Sequence, residues 1–284
     1  MYDNGLLDLY PKYSDEDGFL KVTELVPKKR FWKDVEKISV REGKLNGLFY
    51  VKKCCNLEHV AEILESQIFA DFIPGTAIYT PVKIGEDVGV ISNDICKGSR
   101  TMYYFLEKKS FFNDKSPYML EGCYSSQEMK LNKIFTNEGY KQYGDMHLLD
   151  VGCGNIDRHP NNFNVVINNN LFPLFSKACA LRLYDFGSSV DYLYGEYEGT
   201  KYSYFCNGLG GSTYKTRDQM IELFKTNEFM QSVYTNSQMA EMLGGIDVHG
   251  KVEDIKETMG FQVPHEFEDK LCFSLDYVAE GLIK

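Results

Sequence analysis

The sequence predicts an α+β protein with two lobes, a small β-rich N-terminal lobe with one helix (residues 1–95) and a larger, mainly helical C-terminal lobe (residues 96–284). Before residue 95, runs of β-branched and aromatic residues flank a single helical segment. In the last part of the chain, apolar residues recur at helical spacing. Between these regions lies a group of polar motifs, from Gly154 to Val190.

The N-terminal lobe is predicted from the order strand, strand, helix, strand, strand. The segments KISVRE and LFYVKKC flank the turn GKLNG and form a hairpin. Asn56 can cap the following helix, which a Pro-Gly pair ends. The strands TAIYTPVKI and EDVGVISND then lead to a hinge near Ile91 to Asp94. Residues Met1 to Arg30 are mixed and turn-rich, and we expect them to pack on this lobe as a leader.

Helices dominate the predicted C-terminal lobe. A helix over Ser125 to Leu149 precedes the polar motifs, and the long interval between the motifs implies an extended hairpin with a turn at Asn168 to Asn170. Four further helices are predicted near Arg217–Phe229, Ser232–Leu243, Lys251–Thr258 and Glu266–Leu282.

Two polar motifs supply an acid, an amide and a second acid in a fixed order. In GNIDRHPNNFNVV, Asp157 precedes Asn162 with the spacing D-x-x-x-x-N, and in LRLYDFGSSV, Asp185 opens a DFG. In phosphoryl transfer an Asp of this kind accepts the hydroxyl proton, while the amide and the second carboxylate bind magnesium. Alone, either motif could be a polar surface turn. The ordered pair favours a phosphoryl-transfer site.

The strand YVKK and the helix after it supply a lysine for the phosphates and a carboxylate to pair with it. Lys52 and Lys53 point to opposite faces of the strand, so only one of them can reach the site. Glu62 and Glu65 lie one helical turn apart on nearly the same face, and either could instead lie on a solvated surface. We select Glu65 as the predicted partner.

Composition limits the class of protein and its partners. The chain has 284 residues, of which 43% are hydrophobic and 25% charged, typical of a globular protein. The net charge of −10 argues against nucleic acid or an anionic membrane as partner. Eight scattered cysteines form no metal-binding pattern. Without a secretory leader or a long apolar run, we expect reduced thiols in a cytoplasmic protein, with a secreted effector as the alternative.

The segment LLDVGCGNIDRHPNNFNVVINN, followed by LRLYDFGSSVD, resembles the HipA-like serine/threonine protein kinase family. In that family a helix runs into N-x-D-R-H-x-x-N and then into a Y-D-x-G-S-S segment. The matching residues are Asn155, Asp157, Arg158, His159, Asn162, Tyr184, Asp185, Gly187, Ser188 and Ser189. The phosphoinositide-kinase-like group shares the DRH motif with a following Asn, but the YDFGSS segment favours the HipA-like family.

The resemblance implies a bilobal protein-kinase-like fold in a bacterial protein that uses ATP and Mg²⁺ to phosphorylate Ser or Thr of a protein, including itself. It implies Asp157 as catalytic base, Asn162 and Asp185 as metal ligands, and Lys52, which follows a hydrophobic trio, as the lysine on the ATP phosphates. Glu65, selected above from its place in the helix as the partner of Lys52, is also predicted to belong to the nucleotide site.

The chain departs from the family in ways that bear on its role. It leaves little room for the extra N-terminal domain of toxin members, and REGKLNG is not an obvious glycine-rich loop. A toxin with a cognate regulator or antitoxin, a signalling kinase and an effector therefore stay open. The alternatives to a protein kinase are a lipid or small-molecule kinase on the same fold, or a pseudokinase that binds nucleotide without turnover.

Overall fold

A computed structural model confirms the predicted fold class, with a small β-sheet lobe and a larger helical part. The residues that it describes are 16, 18–21, 26–30, 35–42, 45–84, 86–96, 98–102, 105, 134–156, 158, 162–168, 177–194 and 216–284. The predicted boundary between lobes at residue 95 stays a prediction.

The N-terminal part forms a six-stranded sheet in the order β1-β5-β6-β4-β3-β2. Its strands are β1 (Leu20–Lys21), β2 (Val26–Arg30), β3 (Val35–Glu42), β4 (Leu45–Lys53), β5 (Thr80–Ile84) and β6 (Asp87–Asn93). The pairs β3–β4, β4–β6 and β5–β6 are antiparallel, with Lys52 of β4 opposite Val90 of β6. The four predicted strands are therefore confirmed in order, although β4 begins at Leu45, within the predicted turn GKLNG, and β5 begins only at Thr80. Strand β4 is a central strand that carries Lys52.

Two segments of the predicted leader, Leu20–Lys21 and Val26–Arg30, are strands of this sheet rather than segments packed upon it, while residues 1–15, 17 and 22–25 lie outside the described part of the chain. Strand β1 pairs with β5 in parallel, and β2 pairs with β3 in antiparallel orientation. The two strands thus occupy opposite edges of the sheet. Local sequence could not predict this, because β1 has only two residues and its partner lies far along the chain.

Helix α1 (Glu58–Phe72) packs between the sheet and the helical part. Its neighbours include β5 and β6 on one side and helices of the C-terminal part on the other. Side chains around most of the helix are therefore buried, including both Glu62 and Glu65. A helix covered on several sides lacks a clean amphipathic pattern, which is why its polar contacts were hard to predict.

A second, three-stranded sheet carries the polar motifs. Its order is β7-β8-β9, formed by β7 (Arg100–Thr101), β8 (Phe163–Ile167) and β9 (Ala178–Leu183). Strands β8 and β9 form the predicted antiparallel hairpin. Helix α2 (Asn137–Cys153) precedes the hairpin, and the Thr136 side chain caps it by accepting from the N–H of Gly139 at 3.2 Å. Residues 125–133 of the predicted helix lie outside the described part of the chain.

The C-terminal part is helical, as predicted. Its helices are α3 (Ser189–Tyr194), α4 (Arg217–Thr226), α5 (Glu228–Val233), α6 (Asn236–Gly244), α7 (Val248–Met259) and α8 (His265–Ile283). One correction concerns the helix predicted over Arg217–Phe229, which is divided at Asn227. The Asn227 side chain accepts from the N–H groups of Phe229 and Met230 at 3.0 and 3.2 Å, so it starts a new helix.

The cysteines and the helices of the described residues bear on two predictions made from composition, the state of the thiols and the lack of a membrane span. The six cysteines among them, Cys54, Cys55, Cys96, Cys153, Cys179 and Cys272, are free thiols. None of the described helices combines the length and the apolar character that a membrane crossing requires.

Candidate active site

Lys52 lies at the centre of a cluster of three carboxylates. Its Nζ atom is 2.7 Å from Glu62 Oε1, 2.7 Å from Asp185 Oδ1 and 3.7 Å from Glu58 Oε1. Burial by itself would lower the pKa of Lys52, but the three carboxylates outweigh burial and raise it. The ammonium group is therefore charged at neutral pH and joins strand β4, helix α1 and the DFG segment.

Lys53 has a different environment from Lys52. It pairs with Asp87 near the end of the neighbouring strand β6, and the side chains of both residues are about half exposed, at 51% and 57%. Successive side chains of a strand point to opposite faces. The structure thus places Lys52, the lysine preferred for the site, beside Asp185, and Lys53 at the surface.

The predicted pairing of Lys52 with Glu65 is wrong, because Glu62 makes this contact. Three residues along a helix rotate a side chain by about 60° from its starting direction. That rotation directs Glu62 towards the sheet and Glu65 towards helices α2 and α3. The second oxygen of Glu62, Oε2, accepts from the N–H of Phe186 at 2.9 Å. Burial raises the pKa of Glu62, which Lys52 and this N–H offset only in part.

Glu65 is a fully buried carboxyl group in an unfavourable setting for a charge. Neither of its oxygens accepts a well-formed hydrogen bond from the described residues, although the Ser189 side chain lies close enough to act on it. Burial raises its pKa well above the ordinary value, with further increases from Glu62 and Asp150, while Ser189 and Arg158 act in the opposite direction. Burial therefore favours the uncharged form of the Glu65 carboxyl group.

The backbone of the DFG segment is held in an uncommon conformation. Asp185 has a φ of 65°, in the left-handed region that non-glycine residues seldom adopt. Its N–H donates to the hydroxyl of Tyr79 at 3.4 Å. A Cβ atom at Gly187 would lie 3.1 Å from the Glu58 side chain and 3.2 Å from Lys52 Nζ. The tight turn thus brings the Asp185 carboxylate to Lys52. Its strained backbone at Asp185 is of a kind that is common at functional sites.

The β8–β9 hairpin brings Asn162 next to the DFG segment. Phe163, the first residue of β8, is opposite Leu183, the last residue of β9. Asn162 and Tyr184 continue the two strands by one residue, and Asp185 follows. Residues opposite each other in an antiparallel pair have Cα atoms about 4.5–5.5 Å apart. The backbone therefore places the two predicted metal ligands at the same end of the hairpin.

Arg158 forms a second charged centre, which is fully buried. Its Nε and Nη2 atoms donate to the Asp150 carboxylate at 3.1–3.2 Å. Its Nη1 atom donates to the carbonyl oxygens of Asn162 at 2.9 Å and Tyr184 at 2.5 Å. Its guanidinium carbon also lies 5.0 Å from the centre of the Phe186 ring. Arg158 thus fixes the backbone beside both predicted metal ligands.

Asp150 completes this centre from the end of helix α2. It also accepts from the side-chain amide of Asn155 at 2.9 Å. Burial raises the pKa of Asp150 to about 6, although Arg158 and Asn155 favour the charged form. The carboxylate is therefore ionised at neutral pH and balances the guanidinium.

A chain of polar side chains links the hairpin to the segment after β6. The Tyr184 hydroxyl donates to Asn164 Oδ1 at 3.1 Å, and Asn164 Nδ2 donates to Ser99 Oγ at 2.9 Å. The Ser99 hydroxyl in turn donates to the carbonyl of Cys96 at 2.7 Å. The segment that follows the predicted hinge and the residue before Asp185 are thus connected by three hydrogen bonds.

Some predicted features lie outside the described residues. They include Asp157, the predicted catalytic base, and His159 of the same motif. Their neighbours Ile156, Arg158 and Asn162 are described, and Arg158 is anchored as above. Asp157 therefore stays a prediction as the catalytic base.

The donor set suits a magnesium ion bound together with a phosphate group. Glu58, Glu62 and Asp185 face one ammonium, so the cluster has more carboxylates than cations. Within the described part of the chain, no three acidic, histidine or cysteine side chains form a metal cage by themselves. Magnesium generally takes one or two carboxylates and completes its shell with water and phosphate oxygens. Asp185 and Asn162 fit this pattern.

Sequence reasoning missed the roles of Glu58 and Asp150. Glu58, in the first turn of α1, approaches Lys52 and also accepts from the N–H of Cys55 at 2.8 Å, and neither contact was predicted. Asp150 is a charged residue within the apolar stretch LLDVGC, and that isolation is a signal for a buried ion pair. Its partner could not be identified without the path of the chain.

Comparison with known proteins supports the fold but supplies no sequence family. No family model matches the sequence, and no curated protein matches it either. Among solved structures, the Helicobacter pylori proinflammatory kinase CtkA is similar, with a TM-score of 0.56 and 15% sequence identity. The match covers 93% of this chain and 98% of CtkA.

A second match is HipA of Shewanella oneidensis MR-1, from a toxin–antitoxin complex with HipB and operator DNA. The TM-score is 0.42 at 12% identity, and the match covers 93% of this chain and 69% of that one. At such identities a structural match shows the fold alone. The similarity to CtkA therefore shows that the chain has a kinase-like fold.

Proposed function

We propose that the protein is an ATP- and Mg²⁺-dependent serine/threonine protein kinase of HipA-like type that phosphorylates itself. Lys52 would contact the ATP phosphates, and Asp185 and Asn162 would hold Mg²⁺. Asp157 would accept the proton of the attacking hydroxyl group. Glu62, in place of Glu65, would hold Lys52 in position.

The observation that carries the proposal is the position of Lys52 between Glu62 and Asp185, at 2.7 Å from each. A lysine on a strand, a glutamate on the adjacent helix and the Asp of a DFG are the parts that kinases align for phosphoryl transfer. The charges of the cluster also support a phosphoryl-transfer site, because the surplus of carboxylates favours binding of a cation and the lysine favours binding of phosphate.

In the proposed reaction, the oxygen of a Ser or Thr hydroxyl forms a bond to the γ-phosphorus of ATP. The bond between that phosphorus and the β–γ bridging oxygen breaks, and ADP leaves with the electron pair. The hydroxyl proton passes to Asp157. The residues of the chain supply mainly position and charge, which is what this reaction requires of a protein.

The choice of a protein acceptor rests on the resemblance of the two motifs to HipA-like kinases and on the similarity to a solved kinase. The net charge of −10 gives an anionic lipid surface no general attraction. These points favour Ser and Thr of proteins over lipids, with the chain itself as the first acceptor to examine.

The test is the intact mass of the purified protein after incubation with ATP and Mg²⁺, followed by mapping of the modified residues. We expect added phosphoryl groups on Ser or Thr in the wild type, and none in Asp157→Ala or Asp185→Asn. Asp191→Asn, an exposed residue near Asp185, is the matched control and should behave as the wild type. Equal incorporation in wild type and Asp157→Ala, or none in any variant with protein substrates added, would contradict the proposal.

A further inference from the structure

The C-terminal end of helix α1 contacts the C-terminal helical part. Helix α7 packs against α1. Lys251 of α7 forms an ion pair with Asp71 in the last turn of α1, with Nζ 2.7 Å from Oδ2 and 2.8 Å from Oδ1. The Lys251 and Asp71 side chains are 21% and 55% exposed, so the ammonium is partly shielded from solvent while the carboxylate is open to it. One end of the helix that carries Glu62 is thus tied to α7.

An aromatic cluster fastens the other end of the same helix. His59, in the first turn of α1, lies 5.8 Å from Phe261 and 6.0 Å from Phe19 between ring centres. The Phe19 and Phe261 rings meet edge to face at 5.5 Å. Phe261 follows α7 by two residues and is 4% exposed, so it is buried between α1 and the N-terminal strand region. Such aromatic pairs contribute beyond the area that they bury.

The backbone at Gly18 is also in direct contact with the backbone at residues 260–261. Gly18 has a φ of 81°, and a Cβ atom there would lie 2.6 Å from both the carbonyl carbon of Gly260 and the nitrogen of Phe261. Residues 260–261 therefore press directly on the chain that enters β1. Strand β1 is an edge strand of the sheet and pairs with β5. Three parts of the protein therefore meet at Phe261: this edge of the sheet, helix α1 and the C-terminal part.

The two contacts lie on either side of Glu62 along the helix. His59 precedes Glu62 by about one turn, and Asp71 follows it by more than two turns. A helix fixed at both ends cannot rotate or withdraw without breaking one of these contacts. In kinases the position of this helix decides whether its glutamate reaches the lysine.

We propose that Phe261 and Lys251 are positioning residues that hold helix α1 where Glu62 pairs with Lys52. Neither residue touches the site itself. They act through the helix, so the C-terminal part keeps the lysine–glutamate pair assembled. The effect on catalysis rests on the proposed kinase function, whereas the fastening of the helix can be measured without it.

The first experiment measures amide hydrogen exchange in residues 58–72 of the full chain. Phe261→Ala should accelerate exchange there by at least about tenfold, because the helix opens locally more often. Phe261→Leu keeps an apolar side chain and should restore most of the protection. Phe273→Ala is the matched control, since Phe273 is 70% exposed on α8, and should leave exchange unchanged. Unchanged exchange of α1 in Phe261→Ala would overturn the proposal.

If Phe261→Ala destabilises the whole chain, variants that swap the charges of Lys251 and Asp71 test whether helix α1 is held by the C-terminal part. Lys251→Asp or Asp71→Lys alone should speed exchange in α1 by about two- to fivefold, and the double variant should return it to the wild-type rate. Failure of the double variant to restore protection would overturn the role of Lys251.

A kinetic readout separates positioning from mere structural support. For phosphate transfer, kcat/KM for ATP should fall in each single charge variant and recover in the double one. If the wild type transfers no phosphate, the kinase proposal fails while the exchange result still stands. If transfer occurs but does not follow the exchange of α1, the positioning role fails.

Discussion

The site contains two charged centres with opposite balances of charge. At Lys52, one ammonium faces the three carboxylates of Glu58, Glu62 and Asp185. At Arg158, the guanidinium pairs with the carboxylate of Asp150 and, among the described residues, donates its other hydrogen bonds to the backbone carbonyls of Asn162 and Tyr184. The Lys52 and Asp185 side chains are 17% and 34% exposed, whereas Arg158 and Asp150 are inaccessible to solvent.

We propose that this difference separates a reactive centre at Lys52 from a structural centre at Arg158. A partly open cluster with surplus negative charge can accept a cation and rearrange when phosphates arrive. A balanced and saturated pair inside the protein gains nothing from a ligand. Such a pair contributes little net stability but is costly to break, because a lone buried charge remains. In this proposal the Lys52 cluster binds the phosphates and the cation, whereas Arg158 holds the backbone of the site in place.

The largest expected effect concerns the structural centre. Arg158→Met should lower the free energy of unfolding by about 3–5 kcal/mol, because it leaves Asp150 as an unpaired buried charge. Urea unfolding followed by circular dichroism measures this loss. The double variant Arg158→Met/Asp150→Leu removes both charges and should recover much of it. A loss below about 1 kcal/mol in the single variant would show that the pair is not buried as described.

The second effect concerns the reactive centre. Lys52→Met should reduce kcat/KM for phosphate transfer by about 10²–10³-fold, the usual cost of losing one group that stabilises the transferring charge. Lys53→Met is the matched control and should retain activity, since Lys53 pairs with Asp87 at the surface. Steady-state kinetics with labelled ATP gives both values. Equal losses in the two variants would remove the distinction between these lysines.

The third and smallest effect concerns Glu65, which lies between the two centres. Its folded-state pKa is raised well above the ordinary value of about 4.3. The unfolded chain releases this proton above about pH 4.3 while the folded chain keeps it, so the group costs up to about 1.4 kcal/mol of stability per pH unit as pH rises towards its folded pKa. Glu65→Gln, which cannot ionise, should gain stability relative to the wild type with rising pH.

Urea unfolding of wild type and Glu65→Gln at pH 5 and pH 8 checks this sign. The stability difference should favour the variant more strongly at pH 8, and phosphate transfer should be retained because Glu62 holds Lys52. A difference that does not change with pH would mean that Glu65 is ionised or solvated in the folded protein.

The sequence was sufficient for local structure and for residue chemistry. The order of strands around α1 and the C-terminal helices follow from hydrophobic periodicity. The predicted cap Asn56 is wrong, because α1 begins after Leu57 without a side-chain cap. Asn162 and Asp185 could be selected because a metal site needs hard oxygen ligands, and the β8–β9 register brings them to one end of a hairpin. Their roles as ligands stay predictions.

The choice between neighbouring residues needed tertiary structure. Glu62 and Glu65 have the same residue type, the same helix and complete burial, and only the path of the DFG segment tells them apart. The same holds for Asp150, whose partner Arg158 is brought back by the turn after α2. Strand β1 is a further case, because its pairing with β5 depends on a contact between distant parts of the chain.

We expect the Lys52 cluster to bind ATP together with Mg²⁺. Isothermal titration of the full chain with ATP, with and without Mg²⁺, tests it most directly in wild type and Asp185→Asn. We expect the wild type to bind ATP at least about tenfold more tightly with Mg²⁺, and Asp185→Asn to lose that dependence on the metal. The absence of ATP binding, or equal affinity in all four titrations, would contradict the account.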